Sequence, residues 1–349
     1  MLRARVIPFV LTCTAAGTAA AQEHPFVMED LPPHLEARIE QEAQTLLLNK
    51  TTFPDGFFLA SLKVWPAGQP VRVCFFGGST SLRAKIASTA SAWTTAGANL
   101  SLDFGDIANP RSCGTEYAHI RIGFRYKGYW SMVGTDSERL AGQFEQSMNF
   151  AMFDINPPAE PEFTRVVLHE FGHALGFQHE HQSALAPCAQ EFNWPAIYTY
   201  LKGSPNFWSV EQIDHNLKPI AASATDTGPF DKTSIMLYAF PANFYTAGVN
   251  AECLTLGNNT LSQGDVAGLL KFYPADSTAA TTVRQESLQT YFEAVDQSDA
   301  TDLEKSLAKV AASNVSKEGG PLLANQPNPF GQWNLMMFQL GPQLQEQRG

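Results

Sequence analysis

Three histidines and a glutamate in the run His169-Glu170-Phe171-Gly172-His173-Ala174-Leu175-Gly176-Phe177-Gln178-His179 have the types and spacing to hold a metal ion and activate water. Residues four apart on a helix are rotated by about 400°, so His169 and His173 point the same way within about 40°. One turn apart, two imidazoles can share a zinc ion at about 2.1 Å. Glu170 stands one position on, where its carboxylate reaches a water at the metal without being a ligand. Gly176 falls where the helix must stop, because glycine enters the left-handed region at no steric cost. The turn there brings back His179 as a third imidazole. Three nitrogen ligands leave a fourth position for water, which is the catalytic and not the structural arrangement. With this chain's own residue frequencies the full pattern arises by chance on the order of once in 10⁵ chains, which argues against a histidine-rich helix without a metal. His181 lies beyond the spacing and reads as packing behind the ligands or lying on the surface. His24, His34, His119 and His215 are isolated and read as structural.

Elements must exist on either side to position this run. Residues 165–175 form the expected helix. Before it, Val71-Arg72-Val73-Cys74-Phe75-Phe76 is β-branched and aromatic and ends at Gly77-Gly78. Leu100 to Phe104 and His119 to Phe124 alternate strictly and read as strands with one buried face. Ser147 to Phe153 reads as a further strand and Leu82 to Trp93 as an amphipathic helix. After the run, Gly176 to Ala251 is rich in Pro, Asn, Ser and aromatics and carries one short expected helix, Pro195 to Leu201, capped by Asn193. Leu261 to Phe272 reads as a closing helix, with Ser262 and Asp265 in a capping pattern. Leu35 to Leu48 and Ser287 to Ser313 have helical patterning. The stretch from Gly319 is rich in Gly, Pro, Asn and Gln.

The ends and the charge set the compartment. The 349 residues carry 34 acidic and 23 basic side chains, a net charge of −11. An acidic surface of this kind argues against a nucleic-acid partner, because phosphate binding needs basic residues. Met1 to Ala21 reads as a signal peptide: Arg3 and Arg5, an apolar Val6 to Ala16, and Ala19-Ala20-Ala21 before Gln22. No window holds 18 consecutive apolar residues, so no stable membrane association is expected. Cleavage at Ala21 takes away two arginines and no acid, moving the charge to −13, and removes Cys13. Cys74, Cys113, Cys188 and Cys253 remain, an even number in an exported chain, which suggests two disulfides. Three pairings are open; Cys74–Cys113 and Cys188–Cys253 are favoured because each lies within one half of the chain. No C-x-x-C occurs, so these are not zinc ligands by spacing.

The run H-E-x-x-H-x-x-G-x-x-H resembles the metzincin zinc signature. Ser234-Ile235-Met236-Leu237-Tyr238, with Met236 57 residues after His179, resembles the S-x-M-x-Y turn of the astacin family. His179-Glu180-His181 is similar to the H-E-H that closes the astacin motif. Gly128-Tyr129-Trp130-Ser131 and Gly134-Thr135-Asp136 resemble the loop before that family's edge strand. On these motifs the chain looks like an astacin-like zinc metalloprotease, closest to bacterial secreted members, over about residues 62–275. The resemblance implies an α+β fold of two lobes, with a twisted mixed sheet and helices above the cleft and an irregular lobe below. It implies one catalytic Zn²⁺ on His169, His173 and His179, with Met236 packed beneath the site and Tyr238 near or on the metal. It makes Glu180 a candidate partner for a processed N-terminus. Two departures stand out. Leu237 replaces the histidine usual in the family's turn, and Phe53-Pro54-Asp55-Gly56 transposes the last two residues of the family's propeptide F-x-G-D. A cysteine-switch zymogen is excluded, since residues 22–64 hold no cysteine.

The expected protein is therefore a secreted or periplasmic zinc endopeptidase, a monomer acting on protein or peptide substrates. Glu170 serves as base, and Tyr238 as a hydrogen-bond donor to the oxyanion. The substrate is expected along an edge strand near 147–153. The expected organisation is a signal at 1–21, a lead-in or pro-segment at 22–61, the catalytic domain at 62–275 and a C-terminal helical extension and tail at 276–349. Two other readings use the same residues: an inactive or weakly active zinc-binding adhesin or toxin module, and a zinc hydrolase acting on a non-peptide bond. Turnover with and without metal separates the first, while the third histidine and the methionine turn argue against the second.

Overall fold

A computed structural model describes residues 31–47, 63–95, 97–204, 206–220 and 228–317. The signal peptide, the Asp55-Gly56 turn and the tail from Gly319 lie outside these residues. The architecture is α+β. Helix α1 (Pro33–Thr45) comes first, then β1 (Pro70–Phe75) and α2 (Thr80–Ala90), whose cap Ser79 accepts from the Leu82 amide. Strands β2 (Ser101–Asp103), β3 (Gly105–Asp106), β4 (Asn109–Pro110), β5 (Ile120–Gly123), β6 (Tyr129–Ser131) and β7 (Met148–Phe150) follow. The main sheet runs β2-β1-β5-β7-β6. Its first four strands are parallel, with Val73 opposite Ile120 and Ile122 opposite Met148, and β6 returns antiparallel to β7. β3 and β4 form a separate small hairpin.

A parallel sheet is covered on both faces, so its strands read as continuous buried runs. All four residues of β5 are buried, including Arg121, where the sequence pattern predicts one buried face. Arg121 is tolerated because its guanidinium donates to the carbonyls of Ala118, His119, Ser137, Ala141 and Glu145. Burial, only partly offset by Glu145, pulls its pKa down to about 10, and the cation survives there on main-chain oxygens. The expected edge strand at 147–153 is corrected in two ways. It ends at Phe150, beyond which the chain turns through Met152 at φ 63°, and it lies inside the sheet between β5 and β6. The sheet edge on that side is β6. A strand buried on both sides leaves no alternation signal that distinguishes interior from edge.

Helix α3 (Glu162–Ala174) packs against β6 and α2. The core between them holds Val73, Phe75, Ile86, Trp93, Phe150 and Phe171. Below it lies a second cluster of Phe192, Ile197, Trp208, Phe240 and Tyr245. It is built by α4 (Trp194–Leu201), capped by Asn193, and α5 (Val210–Leu217), which has a Ser209/Gln212 capping box. The sequence reading leaves α5 as irregular chain. The disulfide Cys188–Cys253 crosses this lobe, and Cys74–Cys113 ties β1 to the segment before β5. Helix α6 (Gln263–Phe272) closes the pair of lobes.

The two ends of the described chain meet. Helices α7 (Ser277–Gln297) and α8 (Asp302–Lys317) form a pair where the sequence pattern shows one helical stretch; Thr301 and Glu304 cap the second. They share a cluster with the end of α1: Leu46, Leu47, Tyr291, Val295 and Ala308. The Tyr291 hydroxyl donates to the Leu46 carbonyl at 3.0 Å. On its other side α1 reaches the sheet lobe. Arg38 donates to the Leu140 carbonyl and to Glu145, and Glu42 pairs with the buried Arg139. Arg139 also holds Asp136, which takes Lys63.

Two measurements check this packing. Tyr291→Ala removes a fully buried ring, a change that costs about 3–5 kcal/mol for large aromatics, and is expected to speed amide exchange in 33–45 ahead of the strands. His119 carries the second. Its Nδ1 accepts from the Arg72 amide at 2.8 Å, and burial, with Arg121 and Arg72 nearby, lowers its pKa from 6.5 to about 4. The unfolded chain therefore takes up the proton first, and stability falls as pH drops from 6.5 towards 4. His119→Asn keeps an acceptor and does not titrate, so its Tm is expected to change less than the wild type's over that window.

Candidate metal centre

Ten of the thirteen residues of α3 are buried, among them His169, Glu170 and His173. The helix ends in a Schellman arrangement: the Phe177 amide donates to the Gly172 carbonyl at 3.0 Å and the Gly176 amide to the His173 carbonyl at 2.8 Å. Gly176 has φ 104°, the conformation that brings the chain back under the helix. His179 then faces the two helical imidazoles. The ring centroids of His169 and His173 are 4.9 Å apart, and those of His173 and His179 are 4.6 Å apart. One ligand nitrogen from each ring lies within 4.8 Å of the others.

The donor atoms fit a zinc ion. His173 Nε2 and His179 Nε2 stand 3.1 Å apart; two nitrogens on one tetrahedral zinc are separated by about 3.4 Å. Each Nδ1 faces an acceptor: the Ile235 carbonyl for His169 at 2.8 Å, the Phe177 carbonyl for His173 at 2.8 Å, and the Gln182 side chain for His179 at 3.1 Å. A carbonyl oxygen only accepts, so the proton sits on Nδ1 and Nε2 carries the lone pair toward the shared point.

The methionine turn lies directly below. A Cβ on Gly172 would collide with the Met236 sulfur, so the third residue after His169 must be bare for the turn to approach. Asp265 sets the height of that turn. Its carboxylate accepts from the Ser234 hydroxyl at 2.7 Å and the Ile235 amide at 2.9 Å, while capping α6 through the Ser262 amide. The Met236 carbonyl in turn accepts from the Glu180 amide. In the sequence Asp265 is legible as a helix cap, but its hold on the turn is not, because that depends on a partner 31 positions back. Tyr238 is buried with its ring 4.7 Å from His179 and 5.3 Å from His169.

His181 is fully buried, stacked on His179 at 5.0 Å, which decides between its two sequence readings for the one behind the ligands. Glu180 lines a cavity of about 300 Å³ together with His179, Gln182, Asp231, Asp265 and Lys271. It accepts from the Asp231 amide at 2.8 Å. Burial raises its pKa to about 7, the Asp231 amide opposes this, and the carboxylates of Asp231 and Asp265 add to it. His34, His119 and His215 take no part in the cluster; His34 stands near Glu145, and His215 is in α5.

The contact of Met236 with Gly172 predicts a specific cost. Gly172→Ala is expected to lose about 1–3 kcal/mol through overpacking. In a Met236→Ala background the same change is expected to cost less, and urea unfolding of the four proteins in a double-mutant cycle measures the difference.

No protein-family profile and no curated protein matches the chain. Among solved structures it is similar to myroilysin, at 32% identity and a TM-score of 0.53, over 61% of this chain and 97% of that one. A second myroilysin structure, solved by crystallography, matches at the same identity, over 61% of this chain and 86% of that one, with a TM-score of 0.44.

Proposed function

The chain belongs to the myroilysin family, and from that premise we propose that it is a zinc-dependent endopeptidase of astacin-like type. The observation that carries this reading is the convergence of three buried imidazoles whose ligand nitrogens lie within 4.8 Å, each with an acceptor at Nδ1. A zinc ion held by His169, His173 and His179 supplies Lewis-acid polarisation of the scissile carbonyl and a water acidic enough to attack near neutral pH. Glu170 takes the proton of the attacking water and passes it to the leaving amine. Its near-complete burial keeps it away from bulk water. Tyr238 donates a hydrogen bond to the oxyanion, and Met236 supports the ligands from below.

The substrate is an extended peptide laid along β6, adding main-chain pairing to the open side of that strand. Two observations favour β6: it packs against α3, and the loop after it donates from the Gly134 amide to the His173 carbonyl at 2.9 Å. Residues 62–275 form the catalytic domain of this reading, with 22–61 as lead-in and 276–349 as extension. Glu180, in its acidic cavity, is the partner for an amino terminus released in maturation. The two disulfides and the signal-like Met1 to Ala21 favour a secreted or periplasmic protein. No described helix is long and apolar enough to cross a membrane.

The test is digestion of a denatured protein by the secreted chain, with and without chelator. Glu170→Ala is expected to lower the rate by about 10²–10⁴-fold and to keep about one zinc per chain, whereas His173→Ala loses the zinc. Equal digestion by Glu170→Ala would sink the proposal. Zinc binding by the wild type without digestion would support the adhesin or toxin-module reading instead.

A further inference from the structure

His179 differs from the other two imidazoles in what holds it. The acceptors facing His169 and His173 are main-chain carbonyls, which no side-chain substitution removes. His179 faces the side chain of Gln182, which is 5% exposed. An amide offers an acceptor at one end and two donors at the other, in nearly the same shape. Its surroundings decide which end is which. Gln182 Nε2 lies 2.8 Å from the His215 carbonyl and 3.2 Å from the Lys218 carbonyl. Both oxygens only accept, so the amide hydrogens are committed to them and Oε1 is turned to His179. His179 must then donate from Nδ1, which leaves the lone pair on Nε2, the atom facing His173 Nε2.

The far end of this amide is anchored as well. His215 and Lys218 belong to the end of α5, where the last carbonyls lack partners within the helix. Gln182 satisfies two of them and the His181 ring meets a third, the Asn216 carbonyl, at 3.0 Å. The Gln182 carbonyl accepts from the Ile220 amide at 2.9 Å, fixing the backbone beneath the side chain.

We infer that Gln182 is a positioning residue: it sets the tautomer and the orientation of the third metal ligand and ties that ligand to the end of α5. This rests on the zinc reading above. Gln182 acts through His179 and does not touch the metal, and acceptors in this place govern ligand geometry and basicity.

The test compares wild type, Gln182→Leu and Gln182→Glu as full-length secreted proteins. Leucine removes acceptor and donors at similar volume. Glutamate keeps an acceptor for His179 and gives up the two donors. Zinc dissociation constants come from chelator competition at one pH, and the protonated nitrogen of His179 in zinc-free protein is read from long-range ¹H–¹⁵N spectra. Gln182→Leu is expected to bind zinc about 10- to 100-fold more weakly and to lose the Nδ1–H tautomer. Gln182→Glu is expected to stay within about threefold of wild type for zinc while melting at a lower temperature. If the leucine variant does not fold, Gln182→Met takes its place. Equal zinc affinity in wild type and the apolar variant overturns the inference. So does an equal loss in the apolar and glutamate variants, since that marks a role in holding α5 alone. A wild type that binds no zinc overturns the zinc reading instead, and the His179 spectra then still decide whether Gln182 sets the tautomer.

Discussion

Each imidazole of the cluster must keep its Nδ1 proton on an oxygen, and the rest of the site is arranged around that requirement. A buried ring with both nitrogens unmet costs free energy, and a ring with the wrong nitrogen protonated offers no lone pair at the shared point. The oxygens come from three places: the methionine turn, the chain just after α3, and the short turn following His179. None is on α3 itself. A helix spends its own carbonyls on its own ladder, so α3 can present two histidines but cannot orient them.

This divides the labour between the lobes. The sheet lobe gives α3 a bed through Trp93, Phe104 and Phe150, and through the indole of Trp93 donating to the Leu168 carbonyl at 3.0 Å. The lower lobe brings the oxygens to it. Asp265 joins the two tasks, because one carboxylate caps α6 and holds Ser234 and Ile235, whose carbonyl then faces His169. A change in the register of that turn by one residue would put a side chain where Gly172 leaves room for sulfur.

The parts legible in the sequence are those written in short-range spacing. The placement of His169, Glu170 and His173 on one helix, the turn at Gly176 and the caps at Asn193 and Ser262 all follow from neighbours within a few positions, whereas the α+β class of two lobes comes from the resemblance of the motifs. The parts that were not legible depend on distant partners. Arg121 inside β5 looks like a solvent-facing residue until five carbonyls close around it. The interior position of β7 follows from its pairing with β6, which the run 147–153 does not encode. Helix α5 carries a local signal that the sequence reading passes over, the Ser209-x-x-Gln212 capping pattern with Ile213 and Leu217 four apart on its buried side; only its end depends on distant partners, Gln182 and His181. The Gln182 amide carries no sequence signal: a lone glutamine after H-E-H is unremarkable until its donors are accounted for.

The contact between Tyr291 and Leu46 spans 245 positions. Helix α1 is held on one face by the sheet lobe and on the other by helices that are the last described parts of the chain. At synthesis rates of about 5–20 residues per second, roughly 10–50 s separate the emergence of α1 from that of its final partner. Until then α1 has half of its packing, and the cluster of Leu46, Val295 and Ala308 does not exist. The order of events in making this protein therefore runs outward from the middle to the ends: the lobes around α3 close first, and the first helix is among the last to settle.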